Sequence, residues 1–162
     1  MGGYGSGYNG TKKWAVEECL ILSANSFRQH GSFTPGHTGT LTWTSNGEKI
    51  GAISYETRET DVMLIYTTDG VPVRYPVGIW ETHPNFGGIR HYFICPIVGC
   101  KSFKVDKLYL PPKAKYFGCR RCYDLTYQSC RESHKWDGMY RMLAANTGFP
   151  VSAVKRTLKQ ML

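Results

Sequence analysis

The chain has 162 residues, 41% hydrophobic and 20% charged. That length suits one domain, or one domain with a small satellite, and that composition excludes a disordered chain. No apolar run approaches the roughly 18–20 residues that a membrane helix needs, and no signal-peptide pattern opens the chain, so the expected location is the cytoplasm.

The formal charge is +8, and it is unevenly spread. Residues 1–90 hold 7 basic and 8 acidic side chains, residues 91–135 hold 9 and 3, and residues 136–162 hold 4 and 1. The basic excess lies wholly in the second half. Five of the six cysteines lie in the middle segment with it, and Cys19 stands apart. In a reducing compartment such clustered thiols point to metal binding and not to disulfides.

Residues 1–13 form a Gly/Tyr-rich arm, either frayed or stacking Tyr4 or Tyr8 on bases. Residues 14–90 read as an antiparallel β domain with a short N-terminal helix. A strand is expected over 19–22, followed by a helix over 24–30 that Ser23 caps and Gly31 stops. From Thr38 the pattern has period two, with Thr40, Thr42 and Thr44 alternating with Leu41 and Trp43. Asn46-Gly47 and Asp69-Gly70 are hairpin turns, because both central positions of that turn need positive φ. The strands expected around them are 50–57, 62–67 and 71–77, the last an edge because of Pro72 and Pro76. Trp43 and Trp80 read as core residues.

Residues 91–135 read as a zinc ribbon. Cys95-Pro-Ile-Val-Gly-Cys100 is followed after 18 residues by Cys119-Arg-Arg-Cys122. Each pair offers two corners of a tetrahedron, and thiolates are among the ligands zinc prefers. Gly99 relieves the first turn, and Gly118 allows close approach before the second pair. Strands over 104–110 and 115–117, joined at Pro111-Pro112, would form the ribbon body. One structural Zn²⁺ is expected, with no open position for an activated water. Cys130 with His134 is a rival pair, and Cys19 reads as a small buried hydrophobe.

The cations expected to meet nucleic acid are Lys101, Lys104, Lys113, Lys115, Arg120, Arg121 and Arg131, with Lys107 and Lys135 beside them. Tyr109, Tyr116, Tyr123 and Tyr127 are interleaved for base stacking. Residues 136–162 read as a helical hairpin with the marks of a helix-turn-helix. Ala144, Gly148, Val154 and Leu158 stand at its structural positions, Ser152 caps the last helix, and Lys155, Arg156 and Lys159 would face a groove. The fold class is therefore α+β: an antiparallel meander, then a zinc ribbon, then a C-terminal helical pair.

The opening GYGSG, the stretch Thr38-Gly-Thr-Leu-Thr-Trp43, and the run from Leu108 through the Cys119 knuckle to Ser129 resemble an uncharacterised family of small bacterial and phage zinc-ribbon proteins. The resemblance covers roughly residues 1–135. Where the family has a C-x-x-C first pair, this chain has Cys95 and Cys100. The resemblance implies a zinc ribbon of phage or mobile-element type and implies nothing about substrate.

Two functions follow. One is a nucleic-acid-binding accessory or regulatory protein, with DNA ahead of RNA. The other is an interaction module that modulates a host polymerase, nuclease or defence complex. No small-molecule substrate or membrane partner is indicated. No enzyme is expected, since Asp106, Asp124 and Glu132 are scattered and share no motif with His83, His91 or His134.

Overall fold

The computed structural model describes residues 13–132 and 136–160. The chain divides after Leu125 into two compact units.

The first unit opens with a 3-10 turn over Val16–Glu18, then strand β1 (Leu20–Ser23) and helix α1 (Ala24–Gln29). Strands β2 (Thr38–Ser45), β3 (Glu48–Thr57), β4 (Asp61–Thr68), β5 (Val71–Thr82) and β6 (Arg90–Phe93) make a five-stranded antiparallel sheet in sequence order. Its first two hairpin turns behave as their residues require. Asn46 and Gly47 have φ of 51° and 84°, and Asp69 and Gly70 have 49° and 75°. Positive φ at both centres matches the turn to the strands' right-handed twist.

Alternation sorts the sheet into two faces. Val62, Leu64 and Tyr66 of β4 are buried on one face with Ile53 and Tyr55 of β3 and Val73 and Val77 of β5. Phe27 of α1 fills the centre of that layer, its ring 4.7 Å from Tyr55 and 5.6 Å from Phe93. The other face carries Thr38, Thr40, Thr42 and Thr44, all exposed. Pro72 and Pro76 share the parity of Gly78, whose carbonyl accepts the Ile94 amide on the side away from β4. Their missing N–H groups therefore fall on an unpaired border, as the sequence requires, although β5 continues past it to pair with β6.

Strand β7 (Lys107–Leu110) departs from the ribbon reading. Its ladder is with β1, from Leu20 opposite Leu110 to Ser23 opposite Lys107. Its tie to the following segment is the single bridge between Tyr109 and Gly118. Pro111 and Pro112 have no N–H to extend that hairpin, while β1 offers a full ladder and brings Leu22 against Leu108. Residues 91–125 thus share the meander's core: Cys95, Leu108, Phe117 and Cys119 are buried with the sheet residues.

Two further expectations are corrected. Ser23 stands at the N-cap position of α1, but its side chain makes no cap bond; the Ala24 amide donates to the Asp106 carbonyl at 2.8 Å. Trp43 packs as expected, donating from Nε1 to the Ile21 carbonyl at 2.9 Å and stacking on Phe117. Trp80 does not: it is 42% exposed on the outer face.

A polar link ties the meander to the segment before the second cysteine pair. The Tyr66 hydroxyl donates to the Lys115 carbonyl at 2.5 Å, and the Tyr75 hydroxyl accepts the Phe117 amide at 2.8 Å. The two hydroxyls lie 3.2 Å apart. Burial raises both phenol pKa values, so both stay protonated at physiological pH.

The second unit contains α2 (Gln128–Glu132), α3 (Asp137–Thr147) and α4 (Val151–Gln160). Gly148 ends α3 in the left-handed region at φ 71° and donates to the Ala144 carbonyl. The Pro150 carbonyl accepts the amides of Ala153 and Val154, so α4 starts before Ser152, which stands inside its first turn and not at its cap. The helical pair is present, joined by three residues. Among the described residues no helix is long and apolar enough to cross a membrane.

Replacing Tyr75 with Phe leaves the Phe117 amide without its acceptor inside the fold. Urea denaturation followed by circular dichroism is expected to show a loss of about 1–3 kcal/mol.

Candidate metal centre

Two short segments converge to place four sulfurs. Cys95 follows β6, held where Phe93 and Val105 exchange both backbone hydrogen bonds and the Cys95 amide donates to the Ser102 carbonyl at 2.9 Å. The turn between closes with the Cys100 amide on the Ile97 carbonyl at 3.0 Å. The second segment enters from the Tyr109–Gly118 bridge and folds into a tight turn, with the Leu125 amide on the Arg120 carbonyl at 3.1 Å.

Gly118 is required by crowding. A Cβ there would lie 2.8 Å from Ile97 Cγ1 and 2.8 Å from a Tyr123 ring carbon. That close approach lets the two turns meet.

The Sγ atoms of Cys95, Cys100, Cys119 and Cys122 all lie within 4.8 Å of one another. The separations are 3.8 Å for Cys95–Cys122, 3.8 Å for Cys100–Cys119 and 3.6 Å for Cys119–Cys122. A tetrahedral ion with metal–sulfur bonds of about 2.3 Å sets its sulfurs about 3.8 Å apart. The four cysteines can therefore hold one metal ion. Cys95 and Cys119 are buried, Cys100 is half-buried and Cys122 is exposed, so the site lies at the border of the core.

The thiols are unequal. Hydrogen bonds from the Ser102 side chain and backbone pull Cys100 down to about 6. Lost hydration pushes Cys95 up against its hydrogen bonds with Ile97 and Cys119. Lost hydration and the neighbouring sulfurs of Cys100, Cys119 and Cys95 push Cys122 up strongly. One preformed thiolate, at Cys100, thus sits beside two thiols, at Cys95 and Cys122, that keep their protons. The Cys119 amide also donates to Cys95 Sγ at 3.3 Å, an orientation suited to a thiolate ligand.

The other cysteines lie elsewhere. Cys19 is buried, its Sγ directed at the Ala15 carbonyl at 3.3 Å and its pKa pushed up to about 11 by burial, as a small core residue. Cys130 is exposed in α2, and its suggested partner His134 lies outside the described residues.

Lys101, Lys104, Lys107, Lys113, Lys115, Arg120 and Arg121 are all exposed. The side chains of Arg131, Lys155 and Lys159 lie outside the described set, and Arg156 of α4 is exposed. Two of the four interleaved tyrosines are not stacking surfaces. Tyr109 is buried beside Val16, Cys19 and Leu125. Tyr123 is half-buried, and its hydroxyl donates to the Tyr116 carbonyl. Tyr116 and Tyr127 remain exposed.

Sequence reasoning passed over two features. One is a cleft of about 310 Å³ lined by Arg28, Arg90, His91, Asp106 and Lys107. The other is the exposed aromatic group around Trp80. Only the alternation of β5 carried a signal for the latter. Compared with protein-family models, curated proteins and solved structures, the chain matches none.

A divalent ion must displace the protons that Cys95 and Cys122 hold at neutral pH. Affinity therefore rises with pH. Metal addition to the metal-free protein at pH 7 in weak buffer with an indicator dye is expected to release at least about two protons per ion.

Proposed function

We propose that this chain is a zinc-stabilised nucleic-acid-binding protein, acting as an accessory or regulatory factor. One observation carries the reading: Lys101, Lys104, Lys107, Lys113, Lys115 and Arg121, on and between the two cysteine turns, are exposed with no ion-pair partner among the described residues. Like charges fixed on one short segment repel. A polyanion removes that repulsion, and its condensed counterions are released when it binds.

Zinc suits the centre because four soft thiolates fill a tetrahedron and leave no position for a reacting water. The ion would supply stability and place the turns. Four thiolates around Zn²⁺ lower the formal +8 by two, so the protein stays basic. Arg120, in the second turn, and Arg131 extend the same cationic run. In the second unit, the three-residue joint between α3 and α4 supports a helix-turn-helix use of Lys155, Arg156 and Lys159 on DNA.

A binding role is favoured over catalysis by how the acids are used. Asp124 pairs with Lys13 at 2.6 Å, and Asp106 lines the cleft with Arg28, Arg90 and Lys107.

Metal analysis is expected to give one zinc per chain. Affinity for DNA at about 50 mM salt is expected to fall steeply by about 200 mM, and Lys113→Ala with Lys115→Ala to reduce the salt slope by about two. Absence of binding at the lower salt refutes the reading.

A second reading, a module that binds a host protein, is favoured by an apolar groove between α3 and α4 lined by Leu143, Phe149, Ala153 and Val154. It requires a partner that co-purifies through nuclease treatment and is lost with Phe149→Asp. Loss of every partner on nuclease treatment counts against it.

A further inference from the structure

Past Gly78, strand β5 leaves β4 and pairs with β6, setting Trp80 opposite Tyr92 and Thr82 opposite Arg90. Alternation again makes two faces. Ile79, Glu81, His91 and Phe93 point to the core side, where Phe93 is fully buried and His91 stacks on Phe33. Trp80, Tyr92 and Arg90 point outward.

Phe103 comes to this outer face from the irregular segment after the first cysteine turn. It is 47% exposed and meets Trp80 edge-on, with centroids 5.1 Å apart. The Arg90 guanidinium stands 5.2 Å from the Tyr92 centroid, and the Lys104 ammonium 6.0 Å from that of Phe103. The acids of this face are Asp61, opposite Gly78, and Glu56, which pairs with Arg74. Elsewhere the same face carries the exposed Thr38, Thr40, Thr42 and Thr44 over β2, and Met63 and Ile65 over β4. Exposed Trp and Phe in mutual contact, flanked by cations, form an apolar island where the sheet needs none.

We propose that this island is a stacking platform for single-stranded nucleic acid. Trp80 and Phe103 take base faces, and Arg90 and Lys104 take the adjoining phosphates. The proposal rests on the nucleic-acid reading above and adds the form of strand bound and the residues that select it. In a duplex the base faces are covered by their neighbours, so an aromatic plane selects unpaired strands. Exposed cations alone make no such choice. The metal centre reaches this platform through the backbone. Phe103 lies between Ser102, whose carbonyl accepts the Cys95 amide, and Val105, which is bridged to Phe93.

The test uses the full-length, metal-loaded protein with labelled oligo(dT), oligo(U) and a duplex, each of about a dozen nucleotides, at about 50 mM salt. Anisotropy is expected to show a single strand binding more tightly than the duplex, and the tighter of oligo(dT) and oligo(U) identifies the sugar. Trp80→Ala with Phe103→Ala is expected to weaken single-strand binding about tenfold or more while duplex binding stays within about twofold. Trp80→Phe keeps most of the affinity but loses the tryptophan quench that the strand causes in the wild type. Circular dichroism confirms that each variant is folded. If the wild type binds nucleic acid and the double variant loses nothing, or loses both forms alike, the platform is overturned and the broader reading stands. If the wild type binds none of the three, both fall.

Discussion

From the end of β6 to Leu125 the first unit is organised around four sulfurs brought to within bonding distance of one point. Alone, such sulfurs are an unfavourable group: Cys95 and Cys122 shed water and gain little from becoming charged. A cation at their centre reverses this, because it stabilises every thiolate at once. Two of the four, Cys95 and Cys119, are buried with Phe93, Phe117 and Leu108 in the core that also holds the sheet. The centre is thus fixed to the main body and is not a satellite hung from it. Tyr66 and Tyr75 hold the second turn from the sheet side, and the Phe93–Val105 bridge holds the first.

Local chemistry was legible in the sequence, and non-local pairing was not. The two hairpins follow from Asn-Gly and Asp-Gly because no distant residue is needed to impose positive φ. The cysteine spacing states the ligand set for the same reason, and Gly118 declares a close approach without naming Ile97 or Tyr123. The β1–β7 ladder joins segments far apart in the chain, and neither short strand carries a mark of its partner. The two expected serine caps fared differently: Ser23 holds the cap position of α1 without a side-chain bond, whereas the Pro150 carbonyl starts α4 ahead of Ser152.

The aromatic residues mark the same boundary more sharply. Period two tells that Trp80 and Ile79 point to opposite sides, but both sides of β5 and β6 carry large apolar groups. Which side is covered depends on α1 and its flanking loop, whose Phe27 and Phe33 close over Phe93. Among the interleaved tyrosines, Tyr109 and Tyr116 look alike in sequence, yet one lies in β7 under Val16 and Leu125 and the other is open. Of the four interleaved tyrosines, Tyr116 and Tyr127 are open while Tyr109 and Tyr123 are covered by neighbours that no local pattern announces.

On the proposed reading, metal and nucleic acid are linked although they need not touch. The backbone bonds that present Phe103 and Lys104 are those that close the first cysteine turn, and the cations at Lys113, Lys115 and Arg121 border the second. An ion that orders these turns removes conformational freedom that a strand would otherwise have to remove on binding. By linkage the reverse also holds: a bound strand favours the ordered turns and so tightens the ion. Protons oppose both, since they compete for the sulfurs of Cys95 and Cys122. The coupling therefore has a definite sign: acid weakens the metal first and, through it, the grip on the strand. A surface that attracted phosphate by charge alone would show the opposite trend, because acid adds positive charge to it.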